Sequence, residues 1–213
     1  MSTEAKLREE ICRIGASLYT RGFTVGTAGN ISARFSDGFL ITPTDACLGT
    51  LDPEKIAKLN HNGEQISGDR ASKTIRLHRA IYEADATLRG VVHTHSTYLV
   101  ALSLLPGVDP ANILPPITPY QIMKAGRIPL IPYKRPGDPS VIEDVKPYVP
   151  IVRGVLLARI GPTFWHDSIS NAAYALEEAE ETAKIWFLTR GTSLPQLSNA
   201  EISELKSSFS VKW

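Results

Sequence analysis

Leu7, Ile11, Ile14 and Leu18 recur at steps of four, three and four, which places them on one face of a helix. Ser2 and Thr3 offer N-caps for it, and Gly22 a stop. The period then drops to two. Ile31 to Phe35 and Phe39 to Thr42 read as short strands joined by Ser36-Asp37-Gly38, a β-hairpin. Asp52-Pro53 opens a helical turn through Ala57, while His61-Asn62-Gly63 and Ser67-Gly68-Asp69 read as turns. From Ser72 the helical period returns, with Leu77, Ala80 and Ile81 on a shared face before Asp85. Gly90 to His95 is a strand, Thr97 to Leu105 a helix, and the proline-rich Leu114 to Tyr120 a loop. Ile128 to Ile131 and Val155 to Leu157 are further strands. Ser168 to Thr189 spaces Ala173, Leu176, Glu180, Ala183 and Phe187 as a helix, and Ser198 with Glu201 opens a last one.

Hairpins mixed with helices, with no repeat and no dividing linker, predict one α/β or α+β domain over residues 1–213, helices covering a central sheet. At 213 residues and 43% hydrophobic content, such a chain buries roughly 70% of its unfolded surface and needs no disulfide or metal for cohesion. The balance of 23 Lys+Arg against 22 Asp+Glu excludes a polybasic nucleic-acid binder and an acidic tail. Cys12 and Cys47 are too few for a disulfide framework and read as reduced thiols of a cytoplasmic protein. The N-terminus has no apolar signal core, and no stretch approaches the roughly 20 apolar residues of a membrane span. A Rossmann phosphate loop is disfavoured, because Gly26-Thr27-Ala28-Gly29 lies between a helix and a strand, the reverse order.

The sharpest chemical feature is His93-Thr94-His95. Residues two apart in a strand share a face, so both imidazoles project together and suit one divalent ion. A third ligand must come from His61, His78, His166, a carboxylate or a neighbouring subunit. His78 lies on the preceding helix, where a histidine also serves simply to satisfy the core. His166, in Phe164-Trp165-His166-Asp167, reads as a surface turn, and His61 as exposed. Gly29-Asn30, Thr42-Pro43-Thr44 and Ser72-Lys73 combine small residues, hydroxyls, an amide and a cation at a helix N-terminus, a pattern that suits an anion. Tyr120 is a candidate acid toward a developing alkoxide, and Arg135 a candidate clamp for a carboxylate.

These pieces together resemble a known family. TAGNISAR, LITPTDACLG, SGDRASKTIRLHRAIY, GVVHTHST, PPITPY and IPLIPYKRPGD are similar, in order and spacing, to the class II aldolase/adducin family. Within it they look most like the sugar-acid branch of 3-oxo-tetronate 4-phosphate decarboxylases. The resemblance implies a single three-layer αβα domain with a mainly antiparallel sheet. It also implies a homotetramer with active sites at subunit interfaces, and a phosphorylated sugar acid or ketose as substrate, with no nucleic acid or membrane partner. Zinc is the implied ion, with manganese or cobalt as alternatives, held by His93 and His95. Gly29, Asn30, Thr44, Ser72, Lys73 and Arg135 become the phosphate and substrate pocket, and Tyr120, Lys73 and the Thr74 position the catalytic set. Two positions depart from the pattern. Thr74 stands where the family has a glutamate, and Ile160 where it has a third metal histidine. Three readings follow: a variant metal-assisted decarboxylase, an aldolase or epimerase with a displaced base, and an adducin-like module without catalysis.

Overall fold

Eight strands form one sheet in the computed structural model, which describes residues 3–213; Ser2, one of the expected caps, lies outside them. The strands are β1 (Asn30–Phe35), β2 (Gly38–Ile41), β3 (Ala57–Leu59), β4 (Gln65–Ser67), β5 (Gly90–His93), β6 (Leu130–Ile131), β7 (Gly154–Leu157) and β8 (Gly161–His166). Their order is β4-β3-β2-β1-β5-β8-β7-β6, antiparallel throughout except for the parallel β6–β7 pair. The expected hairpin is β1–β2, closing at Phe35 opposite Gly38.

Alternation along the strands divides the core between two faces. Ile31, Ala33, Leu40, Val92, Leu156 and Phe164 pack beneath α1 (Thr3–Thr20), α3 (Thr97–Leu102) and α5 (Ile169–Thr189). Phe39, Ile41, Val91, Val155, Leu157 and Trp165 pack on the other side against α2 (Ile75–Ala84) and α4 (Val141–Val145). The result is the expected helix–sheet–helix arrangement. Helix α6 (Asn199–Ser208) starts at a complete capping box between Ser198 and Glu201, as its sequence predicts.

Four readings need correction. Gly161–His166 is a strand inside the sheet, so His166 ends a buried strand and is half-buried, whereas its sequence read as a surface turn. Ala57 begins β3, where the sequence suggested a helical turn, and Gln65–Ser67 forms the exposed edge strand β4, where it suggested only turns. Helix α2 starts at Ile75, so Ser72, Lys73 and Thr74 precede it, with Thr74 at its N-cap. Among the described residues no helix is long and apolar enough to cross a membrane.

Candidate active site

The site lies on the α2 side of the sheet, where β5 ends. His93 and Asn30 are register partners, as are His93 and Thr163, so these three share a face and an end of the sheet. The strand stops at His93, two residues earlier than its sequence suggests, yet the His93 and His95 rings still meet edge to face with centroids 5.2 Å apart. Two glycines make this possible. Gly29, at φ +86°, leaves no room for a side chain: a Cβ there would stand 2.8 Å from the His93 carbonyl oxygen. Gly161, in the β7–β8 turn, packs as closely on the Thr94 carbonyl, where a Cβ would lie only 2.0 Å away.

The tautomer of His93 is fixed by its surroundings. Its Nδ1–H donates to the Pro162 carbonyl at 2.8 Å and lies 3.0 Å from Thr163 Oγ1, leaving a bare lone pair on Nε2. Burial, followed by the neighbouring His95, pulls the His93 pKa down to about 3; burial also lowers that of exposed His95. Both rings are therefore neutral at ordinary pH, the form that binds a metal.

Both rings line a cavity of about 170 Å³. Asn30, Lys73, Thr74, Arg76, His78 and Arg135 line it as well. Its remaining wall is apolar, formed by Leu77, Val141, Ile142, Leu157 and Ile160. The mouth is strongly basic. Lys73 and Arg76 come from the start of α2, Lys134 and Arg135 from the loop after β6, and Asp138 is the carboxylate among them. Lys134 pairs with Asp144 at 3.3 Å and Arg135 with Asp138 at 3.9 Å, whereas Lys73 and Arg76 form no ion pair among the described residues. Arg76 and Lys134 were not singled out in the sequence. Lys73 precedes α2 and Arg76 lies in its first turn, so no helical spacing pairs them in the sequence.

Of the expected site residues, Asn30, Lys73, Thr74, His93, His95 and Arg135 thus meet in one cavity. Gly29 shapes its backbone, and buried Ser72 bonds the Thr74 hydroxyl at 2.8 Å. Thr44 instead lines a neighbouring hollow with Asp45, Asp69 and Arg70. Tyr120 is 59% exposed and lies outside the cavity.

The proposed substitutes for a third ligand separate cleanly. His166 pairs with Gly90, at the far end of β5 from His93, and its Nδ1 lies 2.5 Å from Asp167. His61 contacts the Ser36 carbonyl through Nε2 at 2.7 Å in the exposed hairpin region. Ile160 lines the cavity as an apolar residue. No group of three His, Cys, Asp or Glu side chains suited to one ion occurs among the described residues. His93 and His95 are two neutral imidazole donors of the kind that suits a divalent ion.

The paired histidines and the basic mouth sit at one end of the antiparallel sheet, and the chain belongs to the class II aldolase/adducin family. Residues 9–187 match the class II aldolase and adducin N-terminal domain. Membership of this family supports carbon–carbon lyase activity, and the family is generally metal-dependent. The chain is 57% identical to 3-oxo-tetronate 4-phosphate decarboxylase of Cupriavidus necator, with 100% of both chains covered. It is 43% identical to the enzyme of that name from Escherichia coli K12, over 96% of this chain and 97% of that one. The crystal structure of Escherichia coli YgbL superposes with a TM-score of 0.93 at 42% identity, covering 96% of this chain and 100% of that one.

Proposed function

We propose that the protein decarboxylates a 3-oxo-tetronate 4-phosphate. The observation that carries this reading is the polarity of the cavity, with two neutral imidazoles at the sheet end and four cations at the mouth. Such a substrate bears a carboxylate and a phosphate on either side of a hydroxy-ketone. Lys73 with Asn30 holds the phosphate, Ser72 orienting the Thr74 hydroxyl behind them, and Arg135 with Lys134 faces the carboxylate. A divalent ion at His93 and His95, zinc in the first place, supplies Lewis-acid polarisation of the ketone oxygen.

Chemistry at Thr74 separates this reaction from its relatives. An aldol cleavage or epimerisation starts by moving a proton, and a threonine hydroxyl is a poor base near neutral pH. Decarboxylation starts by breaking the bond between the carboxylate and the hydroxyl-bearing carbon. The electron pair left on that carbon is delocalised onto the neighbouring ketone oxygen, and one proton then returns to the carbon. The products are CO₂ and dihydroxyacetone phosphate. Tyr120 supplies that proton from a neighbouring subunit of a homo-oligomer, which accounts for its exposure outside the cavity of its own chain.

The test is release of CO₂ and dihydroxyacetone phosphate from 3-oxo-tetronate 4-phosphates with added Zn²⁺, Mn²⁺ or Co²⁺. Turnover lost in His93→Ala and His95→Ala is the expected result. No turnover with any of these ions, together with no bound metal in protein purified without an affinity tag, would favour a non-catalytic module.

A further inference from the structure

His78 is fully buried, lines the cavity and is not used by the chemistry above. Its proton can be placed by counting. Tyr82 Oη lies 3.0 Å from the Ser32 carbonyl, which only accepts, so the phenol proton points there. Ser32 Oγ is 2.8 Å from the same phenol oxygen, so the serine proton goes to Tyr82. Ser32 Oγ is also 2.7 Å from His78 Nδ1 and has no second proton to give. The arrangement that satisfies all three contacts makes Nδ1–H the donor and leaves Nε2 with a bare lone pair. That atom is buried and has no hydrogen-bond partner. A buried acceptor of this kind marks a place where a donor belongs.

His78 does not join His93 and His95 in a three-ligand group among the described residues. In a cavity that takes a substrate, a donor on that substrate can displace water and meet this lone pair. A carboxylate, a ketone and a fully ionised phosphate only accept. On a 3-oxo-tetronate 4-phosphate the one carbon-bound donor is the hydroxyl between the carboxylate and the ketone. Resting on the substrate reading above, we propose that His78 Nε2 accepts the hydrogen bond of this 2-hydroxyl and selects 2-hydroxy acids over their 2-deoxy counterparts. The Tyr82–Ser32–His78 chain fixes the ring for this contact, and a rigid acceptor of known tautomer discriminates better than one free to turn.

Two stable probes test this: 4-phosphoerythronate, and 3-hydroxy-4-phosphobutanoate, which lacks only the 2-hydroxyl. Calorimetric titration of the full-length protein should show the first binding about tenfold tighter, the worth of one buried hydrogen bond. His78→Asn keeps an N–H toward Ser32 and removes the acceptor. It should bring the two affinities within about threefold by weakening the hydroxy acid alone. Nitrogen-15 NMR of the wild-type histidines gives a readout that needs no variant: His78 Nε2 should be unprotonated and should shift with the hydroxy acid but not the deoxy acid. Equal binding of both probes by wild type, an Nε2–H signal, or equal weakening of both probes in His78→Asn would overturn the assignment. So would a large loss of Co²⁺ affinity in that variant, which would make His78 a ligand. If neither probe binds wild type, the substrate reading itself fails, an outcome distinct from binding without preference.

Discussion

Adding one methyl group at Gly29 tests whether the backbone before β1 holds the imidazole pair in place. Gly29 has φ +86°, and a Cβ there would meet the His93 carbonyl oxygen at 2.8 Å and Leu48 Cδ1 and Thr24 Oγ1 at 3.2 Å each. Two costs follow for Gly29→Ala. Left-handed backbone carries about 1–2 kcal/mol for a residue with a Cβ. Crowding against a packed interior adds about 1–3 kcal/mol. Gly22 separates the two costs, since it has φ +78° and a methyl group there would meet nothing within 4 Å. Gly22→Ala therefore carries the backbone cost alone. At about 2–4 °C per kcal/mol for a chain of this size, it should lower Tm by roughly 2–8 °C, and Gly29→Ala by roughly 4–20 °C. Because the clash is with the carbonyl of His93, Gly29→Ala should also weaken Co²⁺ binding by about 10-fold or more, while Gly22→Ala leaves it unchanged. Differential scanning calorimetry and a spectroscopic cobalt titration read both effects. Equal Tm shifts in the two variants, or full cobalt affinity in Gly29→Ala, would refute the reasoning.

Three further outcomes are expected. Replacing Thr74 by Glu together with Ile160 by His should tighten Co²⁺ binding by about tenfold or more, about 1.4 kcal/mol, in a direct titration; unchanged affinity would mean that another group already completes the shell. Glu180 is buried on α5 and accepts from the Tyr98 and Leu99 amides at 2.8 and 2.9 Å, at the start of the helix that follows His95. Glu180→Ala strands both donors and should cost about 2–4 kcal/mol in urea denaturation, against a loss below about 0.5 kcal/mol if the cap is idle. Burial, then the charge of His93, pulls His78 to about 3 against an unfolded value near 6.5. Between those values the unfolded chain binds a proton that the folded chain refuses, so stability rises with pH at about 1.4 kcal/mol per unit for this group. His78→Asn should flatten the measured stability curve below pH 6.5 by that share; parallel curves for the two proteins would contradict the assignment.

How far the sequence reveals this molecule depends on how local each cause is. The first helix, the β1–β2 hairpin and the Ser198 capping box follow from neighbours within a few residues, and all three form as their patterns suggest. Strand β8 escaped because it is buried on both faces: Phe164 enters one core layer and Trp165 the other, so no alternation between polar and apolar residues marks it. Strands β3 and β4 are three residues each and exist through pairing with β2 and with each other, which only tertiary context supplies. The same division runs through the site. His93 and His95 declare themselves by spacing, whereas Lys134 and Arg135 reach Lys73 and Arg76 only because the loop after β6 folds over the start of α2. The open lone pair of His78 depends on Ser32 and Tyr82, residues 46 positions before it and one helical turn after it, and no sequence pattern reports it.

The β7–β8 turn bears on what the substitution at Ile160 means. Arg159 holds φ +65°, a conformation that a residue with a side chain adopts at a cost, and Gly161 at φ +148° packs directly on the Thr94 carbonyl between the two histidines. The turn therefore lies directly against the His93–His95 segment, although the residue it presents to the cavity has no ligand atom. Ile160 adds instead to the apolar layer around Leu157 and Val141. Ile160 thus gives the site a dry wall beside two imidazoles and a basic mouth. In the binding mode proposed above the carboxylate faces Arg135 and Lys134, while CO₂, being uncharged, needs no hydration beside such a wall. The combination of Thr74 and Ile160 thus favours a reaction whose first event discards charge as neutral CO₂ over one whose first event requires a base.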